Sequence, residues 1–232
     1  MPFVDAHLEV FTQTLVNAAP QGAVGMSPVA WAESVNYTAP AGVLRQEPLS
    51  RDQVRAYCQQ NAGNDVFDCF VTIMAWGGAA LQLPYRRLAW NARDQWRDTI
   101  QNLRQQQRLT RSEAYLSLRN LRANGRLPGL GPAFFTKLIF FMMQDQNGYI
   151  MDQWLGKSVN LLVVGEPIVL MDGHIASNRN TEANYEQFCR VIDCLAATFN
   201  VTPNAVEQAL FSRGGRNPLR WRQYVRDQFN RR

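Results

Sequence analysis

The sequence predicts an all-α fold, on three observations. Apolar residues recur at three- and four-residue spacing along most of the chain. The runs open on helix-start residues, among them Ser50, Thr110 and Thr202. No segment alternates apolar and polar side chains as a half-buried strand does. At 232 residues the chain suffices for one sizeable domain or two intimate lobes.

Taken in order, residues 3–18 read as a short helix with a broad apolar face, from Phe3 to Val16. Residues 19–48 are rich in Pro and Gly, with a helical turn over 28–35. Trp31 and Tyr37 in this region read as core or ligand-facing, with core packing preferred. Ser50-x-x-Gln53 caps a helix running to about Asn61, and an apolar helix follows from Asp65 to Trp76, ending at Gly77-Gly78. After Pro84 one long amphipathic helix is expected from Tyr85 to Gln107. Thr110-x-x-Glu113 caps a helix to Asn124, stopped by Gly125.

Next comes Leu127-Pro128-Gly129-Leu130-Gly131-Pro132, a glycine hairpin, and then an apolar helix over residues 133–143. Residues 144–148 form a polar turn, and Asp152 N-caps a helix to Leu162. Residues 163–180 read as irregular. Helices follow from Asn180 or Thr181 to Phe199, from Thr202-Pro203, and from Asn217-Pro218 to Phe229.

Charge points to a polyanionic partner: the formal net charge is +5 and the pI about 9.3. Of the basic residues, only Lys137 and Lys157 are lysines. Arginine grips phosphate bidentately, whereas a lysine amine can be tuned for chemistry. The codon usage of a GC-rich genome would give the same skew. Seven arginines lie between Arg213 and Arg232 with Trp221 and Tyr224, as a phosphate-contacting flank or a soluble tail.

Cys58, Cys69, Cys189 and Cys194 have no zinc-site spacing and read as reduced, buried thiols. His174 reads as a loop or cleft residue, so no metal and no cofactor is expected. No stretch is apolar and long enough to span a membrane, and the N-terminus lacks the basic region of a signal peptide. A cytoplasmic protein is expected.

The order helix, Gly-x-Gly hairpin, helix has a physical meaning. Glycines allow a tight turn and close backbone approach, and a helix start points free N–H groups and a positive dipole at an anion. An ordinary αα-hairpin has the same outline. Lys137 sits within a helix that is apolar nearly all round, so it is either buried with a partner, for which Asp152 is the candidate, or snorkels outward.

Leu127-Pro128-Gly129-Leu130-Gly131, followed after a helix and a turn by Ile150-Met151-Asp152, resembles the helix-hairpin-helix DNA glycosylases, in particular the 8-oxoguanine glycosylase-like branch. The resemblance is specific over about these 30 residues and looser through the C-terminal half. One departure stands out. Bifunctional members carry a lysine two residues after the second hairpin glycine, where this chain has Ala133, and Lys137 lies one turn later. The C-terminal four-cysteine iron–sulfur loop of some relatives is absent.

The resemblance implies one catalytic unit over residues 1–232, built of two helical lobes with a cleft between them. The motif spans residues 110–143, and there is no N-terminal β domain. It implies a monomer that binds double-stranded DNA, flips a base out and hydrolyses its N-glycosidic bond. The implied catalytic residues are Asp152 and Lys137, with Lys137 either forming a Schiff base or pairing with Asp152. Implied DNA contacts are Leu127, Gly129, Gly131, Ala133, Phe134, Gln153, Trp154 and Lys157.

Trp76, Tyr149 and His174 are candidates for the base pocket. Trp76 beside a glycine pair could stack a base, or be a core residue at a helix end. The substrate would be oxidised guanine, another damaged base, or a modified base of phage DNA in anti-phage defence. The alternatives are a non-catalytic helix-hairpin-helix DNA-binding protein, which has no need of Asp152, and an all-α interaction protein whose basic surface serves solubility.

Overall fold

A computed structural model of the chain describes residues 2–15, 22–60, 65–77, 83–106, 108–143, 145, 147–212 and 219–230. The chain divides into two compact units, one formed by Gly22–Gly148 and the other by Met1–Gln21 together with Tyr149–Arg232. The described elements are helical throughout, apart from one small hairpin.

The chain enters with α1 (Asp5–Leu15), which belongs to the second unit, and continues with α2 (Pro28–Glu33), α3 (Arg51–Gln59) and α4 (Val66–Trp76). Then follow α5 (Leu83–Asn91), α6 (Arg93–Gln105), α7 (Arg111–Ala123) and α8 (Pro132–Met142). Within Gly22–Gly148, α4 packs against α2, α3, α6 and α8, while α8 also meets α3, α6 and α7. All of α4 but Phe67 is buried. Its aromatic surroundings include Trp31, Trp90 and Trp96, with Phe70 stacked on Trp96 at 4.4 Å between centroids. Trp31 is therefore a core residue, and Tyr37 donates to Asp68 Oδ1 at 2.7 Å.

The sequence signals at helix starts act as expected. Ser50 and Thr110 each form a complete capping box, the latter with Glu113. Thr110→Ala, which leaves the Glu113 amide of α7 without its acceptor, should lower stability by about 1 kcal/mol. Urea unfolding of the two proteins measures it.

The rest of the second unit comprises α9 (Gln153–Leu162), β1 (Met171–Asp172), β2 (Ile175–Ala176), α10 (Glu182–Phe199), α11 (Pro203–Phe211) and α12 (Arg220–Asn230). Helix α9 is its centre, packed against α1, α10, α11 and α12. Phe11 of α1 lies 5.2 Å from Trp221, whose Nε1 donates to Ser158 at 2.9 Å. Thr181 and Thr202 cap α10 and α11, and Asn200 closes α10 in the left-handed conformation.

Three expectations change. The long helix over 85–107 is two helices, broken at Ala92 (φ −95°, ψ 15°). The carbonyl of Ala89, which a continuous helix would spend on the ladder, accepts from Trp96 Nε1 at 2.8 Å and from the Ala92 amide at 3.1 Å. Burying the indole with its N–H satisfied outweighs an unbroken helix there. The irregular stretch after α9 contains the antiparallel hairpin β1–β2, too short to show a sequence alternation. Cys194 is half-exposed rather than buried, although all four cysteines are free. The expected helix ends at residues 16–18, 61 and 107, the glycine at 78, the Asn217-Pro218 start and the arginines at 213, 216, 231 and 232 lie outside the described residues.

Candidate functional site

The hairpin between α7 and α8 is built by glycines at two positions that require them. Gly125 (φ +69°) ends α7: its amide donates to Arg122 O at 3.0 Å and that of Arg126 to Leu121 O at 2.8 Å, the paired bonds of a Schellman stop. Gly129 (φ +78°) lies so close to α5 that a Cβ there would come within 2.9 Å of the Tyr85 carbonyl carbon. Leu127 and Leu130 are fully buried and anchor the loop. Gly131 caps α8 without a side-chain acceptor, and Pro132 fills the first helical position. The turn thus delivers the positive end of α8 at a bend that glycine keeps clear of side chains.

Helix α8 is buried on every side except at Ala133 and Lys137. These two share a face one turn apart. Lys137 Nζ lies 4.7 Å from the Phe134 ring centroid and 5.7 Å from that of Trp76, and its end rests against Gly77. Trp76 is 6% exposed, and its buried Nε1 has no hydrogen-bond partner among the described residues. Arg86, itself buried, holds this end of α4 by donating to the carbonyls of Met74 and Gly77. Burial pushes its guanidinium below the usual range. Lys137, Trp76 and Phe134 are thereby brought together within one unit, in an amine–aromatic cluster.

Asp152 belongs to the other unit, at the N-terminus of α9. Its Oδ1 accepts from the amides of Trp154 at 2.8 Å and Leu155 at 2.9 Å. Two of the three residues before it, Tyr149 and Ile150, are pinned by hydrogen bonds. Tyr149 donates its hydroxyl to Asp193 Oδ1 at 2.5 Å, Tyr185 donates to Tyr149 O at 2.9 Å, and the Ile150 amide donates to the buried Glu207 at 3.4 Å. Tyr149 is 3% exposed, so its ring serves as a support for this strand-like run. The carboxylate of Asp152 is thus fixed by its own helix and by three neighbours in chain and space.

Around the first turn of α9, Gln153 bridges the Trp154 indole N–H (2.9 Å) and His174 O (2.5 Å), with its amide oxygen toward the indole. His174 is exposed in the β1–β2 turn, and its Nδ1 is 3.4 Å from Lys157 Nζ. Arg222, from α12, stacks 3.9 Å over the Trp154 ring and donates to Phe211 O. Burial pushes Arg222 down to about 10, against the opposing pull of the Asp152 charge. Lys157 is lowered by burial and then by Arg222.

Sequence reasoning missed Arg86, Arg222, Tyr185 and Glu207 as parts of these arrangements. The single acid in the apolar α11 run was a signal for Glu207. Arg222 was one of many C-terminal arginines, with nothing local to distinguish it. Among the described residues no group of three or more His, Cys, Asp or Glu side chains converges as a metal site would.

Each unit carries its own chemistry. One offers an amide-lined turn for an anion and an amine against aromatic rings. The other offers a carboxylate fixed at a helix start and two cations on an indole. No curated protein and no solved structure matches the chain. A family model described as "Putative 8-oxoguanine DNA glycosylase OGG-like protein" matches residues 17–211, which includes the hairpin, Lys137, Asp152 and Lys157. The chain belongs to that 8-oxoguanine DNA glycosylase OGG-like family.

Proposed function

We propose that the protein is a DNA glycosylase, acting in the cytoplasm as a monomer of two helical lobes on double-stranded DNA. It would flip a damaged or modified base from the duplex and hydrolyse its N-glycosidic bond. The observation that carries this reading is Asp152, held as the N-cap of α9 by a pinned approach segment and following the Gly-x-Gly hairpin at the family interval. Family membership supports it.

In this reading the amides around Gly129 and Gly131 hold the strand by a phosphate, with Leu127, Ala133 and Phe134 shaping the approach. When the base departs with the bonding electrons, positive charge develops on the sugar. The Asp152 carboxylate stabilises that charge and orients the attacking water. Trp76 in one unit and His174 in the other are kept as proposed base contacts, while Tyr149, expected in the pocket, is proposed to support the Asp152 segment. The substrate is proposed to be oxidised guanine, or a modified base of phage DNA.

Lys137 is proposed as the amine that, after hydrolysis, condenses with the C1′ aldehyde of the abasic sugar, losing water to form a Schiff base. It stands on the accessible face of α8, one turn from the position at which bifunctional relatives carry lysine. The expected result is that borohydride traps wild type on substrate DNA and fails to trap Lys137→Gln. A wild type that releases base but is never trapped would make the enzyme monofunctional and overturn the Schiff-base role of Lys137.

The function itself is tested with duplexes carrying 8-oxoguanine, uracil or an alkylated purine, and with phage DNA containing modified cytosines. Abasic sites are scored by alkali cleavage. Release from one class is the expected result. DNA binding without release from any would favour the non-catalytic helix-hairpin-helix reading.

A further inference from the structure

Two buried cations lie near the candidate carboxylate, and among the described residues neither is ion-paired. Lys157 and Arg222 are each 7% exposed. Both lean on one indole: Arg222 is 3.9 Å and Lys157 5.1 Å from the Trp154 ring, and Lys157 is 5.5 Å from Phe229. Among the described residues no carboxylate makes an ion pair with either. Lys157 Nζ lies 3.4 Å from His174 Nδ1. Arg222 commits Nε and one terminal amine to Phe211 O, which leaves its other terminal amine with two N–H donors.

Placing two like charges together, out of water and without a directly paired anion, is unfavourable. The indole returns part of that cost through cation–π attraction. Each group titrates below its usual range, and each depression is led by burial. An arrangement that is strained when empty and relieved by one anion is a binding site for that anion. The donors suit a phosphate, a fork from Arg222 and a point charge from Lys157. The Asp152 carboxylate, bonded to the amide of the same Trp154 whose ring carries both cations, fixes which phosphate.

We propose that Lys157 and Arg222, both stacked on Trp154, seat one phosphodiester of the DNA strand, the phosphate next to the sugar that faces Asp152. The proposal rests on the glycosylase reading above for the identity of the strand. It makes Arg222 and Lys157 positioning residues: they would draw the strand toward Asp152 by its backbone without reading the base.

The test uses the full chain and a duplex with one tetrahydrofuran abasic-site analogue, so the excised base need not be known. Each phosphate near the analogue is replaced in turn by an uncharged methylphosphonate. For wild type, one flanking replacement should weaken binding about tenfold. In Lys157→Gln and in Arg222→Gln the same replacement should cost less than about twofold, because the charge pair is already broken. Each variant should also lower the slope of log affinity against log salt by about one. A structural role alone moves neither readout.

If every methylphosphonate weakens the variants as it weakens wild type, and the salt slopes are unchanged, the proposal is overturned. Arg222 also ties α12 to Phe211 O, so if Arg222→Gln does not fold, Lys157→Gln carries the test alone. Failure of the glycosylase reading looks different. Wild type would then hold the abasic duplex no more tightly than an undamaged one, while the salt slopes would still report on the seat.

Discussion

Asp152→Asn should fold like wild type and lose base release by at least about a hundredfold. The two halves of that expectation come from one geometry. Asn caps a helix as well as Asp does, and its side-chain oxygen can take the same two amides, those of Trp154 and Leu155. Thermal stability should therefore change by less than about 0.5 kcal/mol. The charge is what is lost. A neutral amide gives little stabilisation to a positively charged sugar, so the barrier rises while the ground state is untouched. Single-turnover rates together with melting curves of both proteins read the two effects separately. A variant as active as wild type would reduce Asp152 to a helix cap.

Gly129→Ala should be the most damaging single methyl group in the hairpin. An L side chain at φ +78° is strained, and its Cβ would run into the carbonyl of Tyr85 on α5. Strain and displacement together should remove about 2–5 kcal/mol of stability. Gly125→Ala is the control, because Gly125 also has positive φ (+69°) but its Cβ would meet nothing within 4 Å. It should lose only the conformational part, about 1–2 kcal/mol. Equal losses in the two variants, measured by urea unfolding, would show that α5 does not press on the hairpin. DNA binding should fall with Gly129→Ala even where the protein stays folded, since the amides around the turn are re-aimed.

These predictions fall on the parts that were legible in the sequence, and the reason is locality. The capping boxes at Ser50 and Thr110, the Pro starts at Pro132 and Pro203 and the hairpin glycines each act through residues within a few positions. Asp152 as an N-cap is of the same kind. The break at Ala92 was not legible, because alanine is the best helix former and the cause lies in how Trp96 packs and where its N–H ends. The burial of Arg222 depends on Trp154 and Phe211, residues 68 and 11 positions away, so its local run of arginines and polar residues fitted a phosphate-contacting flank and a soluble tail equally. Lys137 was legible as an anomaly in an apolar helix. Its neighbours Trp76 and Gly77, supplied by α4, were not. Chemistry-bearing side chains were thus visible as types and places, while the company they keep was set by tertiary packing.

The most direct test of the central claim is release of free base from DNA by wild type and Asp152→Asn at matched DNA occupancy. Once a substrate duplex is found, both proteins are added at concentrations that saturate it, and the liberated base is identified by mass. The account predicts a free base and an alkali-labile abasic site with wild type, and neither with the variant although it remains bound. Equal release by the two proteins, or none by wild type from any modified DNA it saturates, would contradict it.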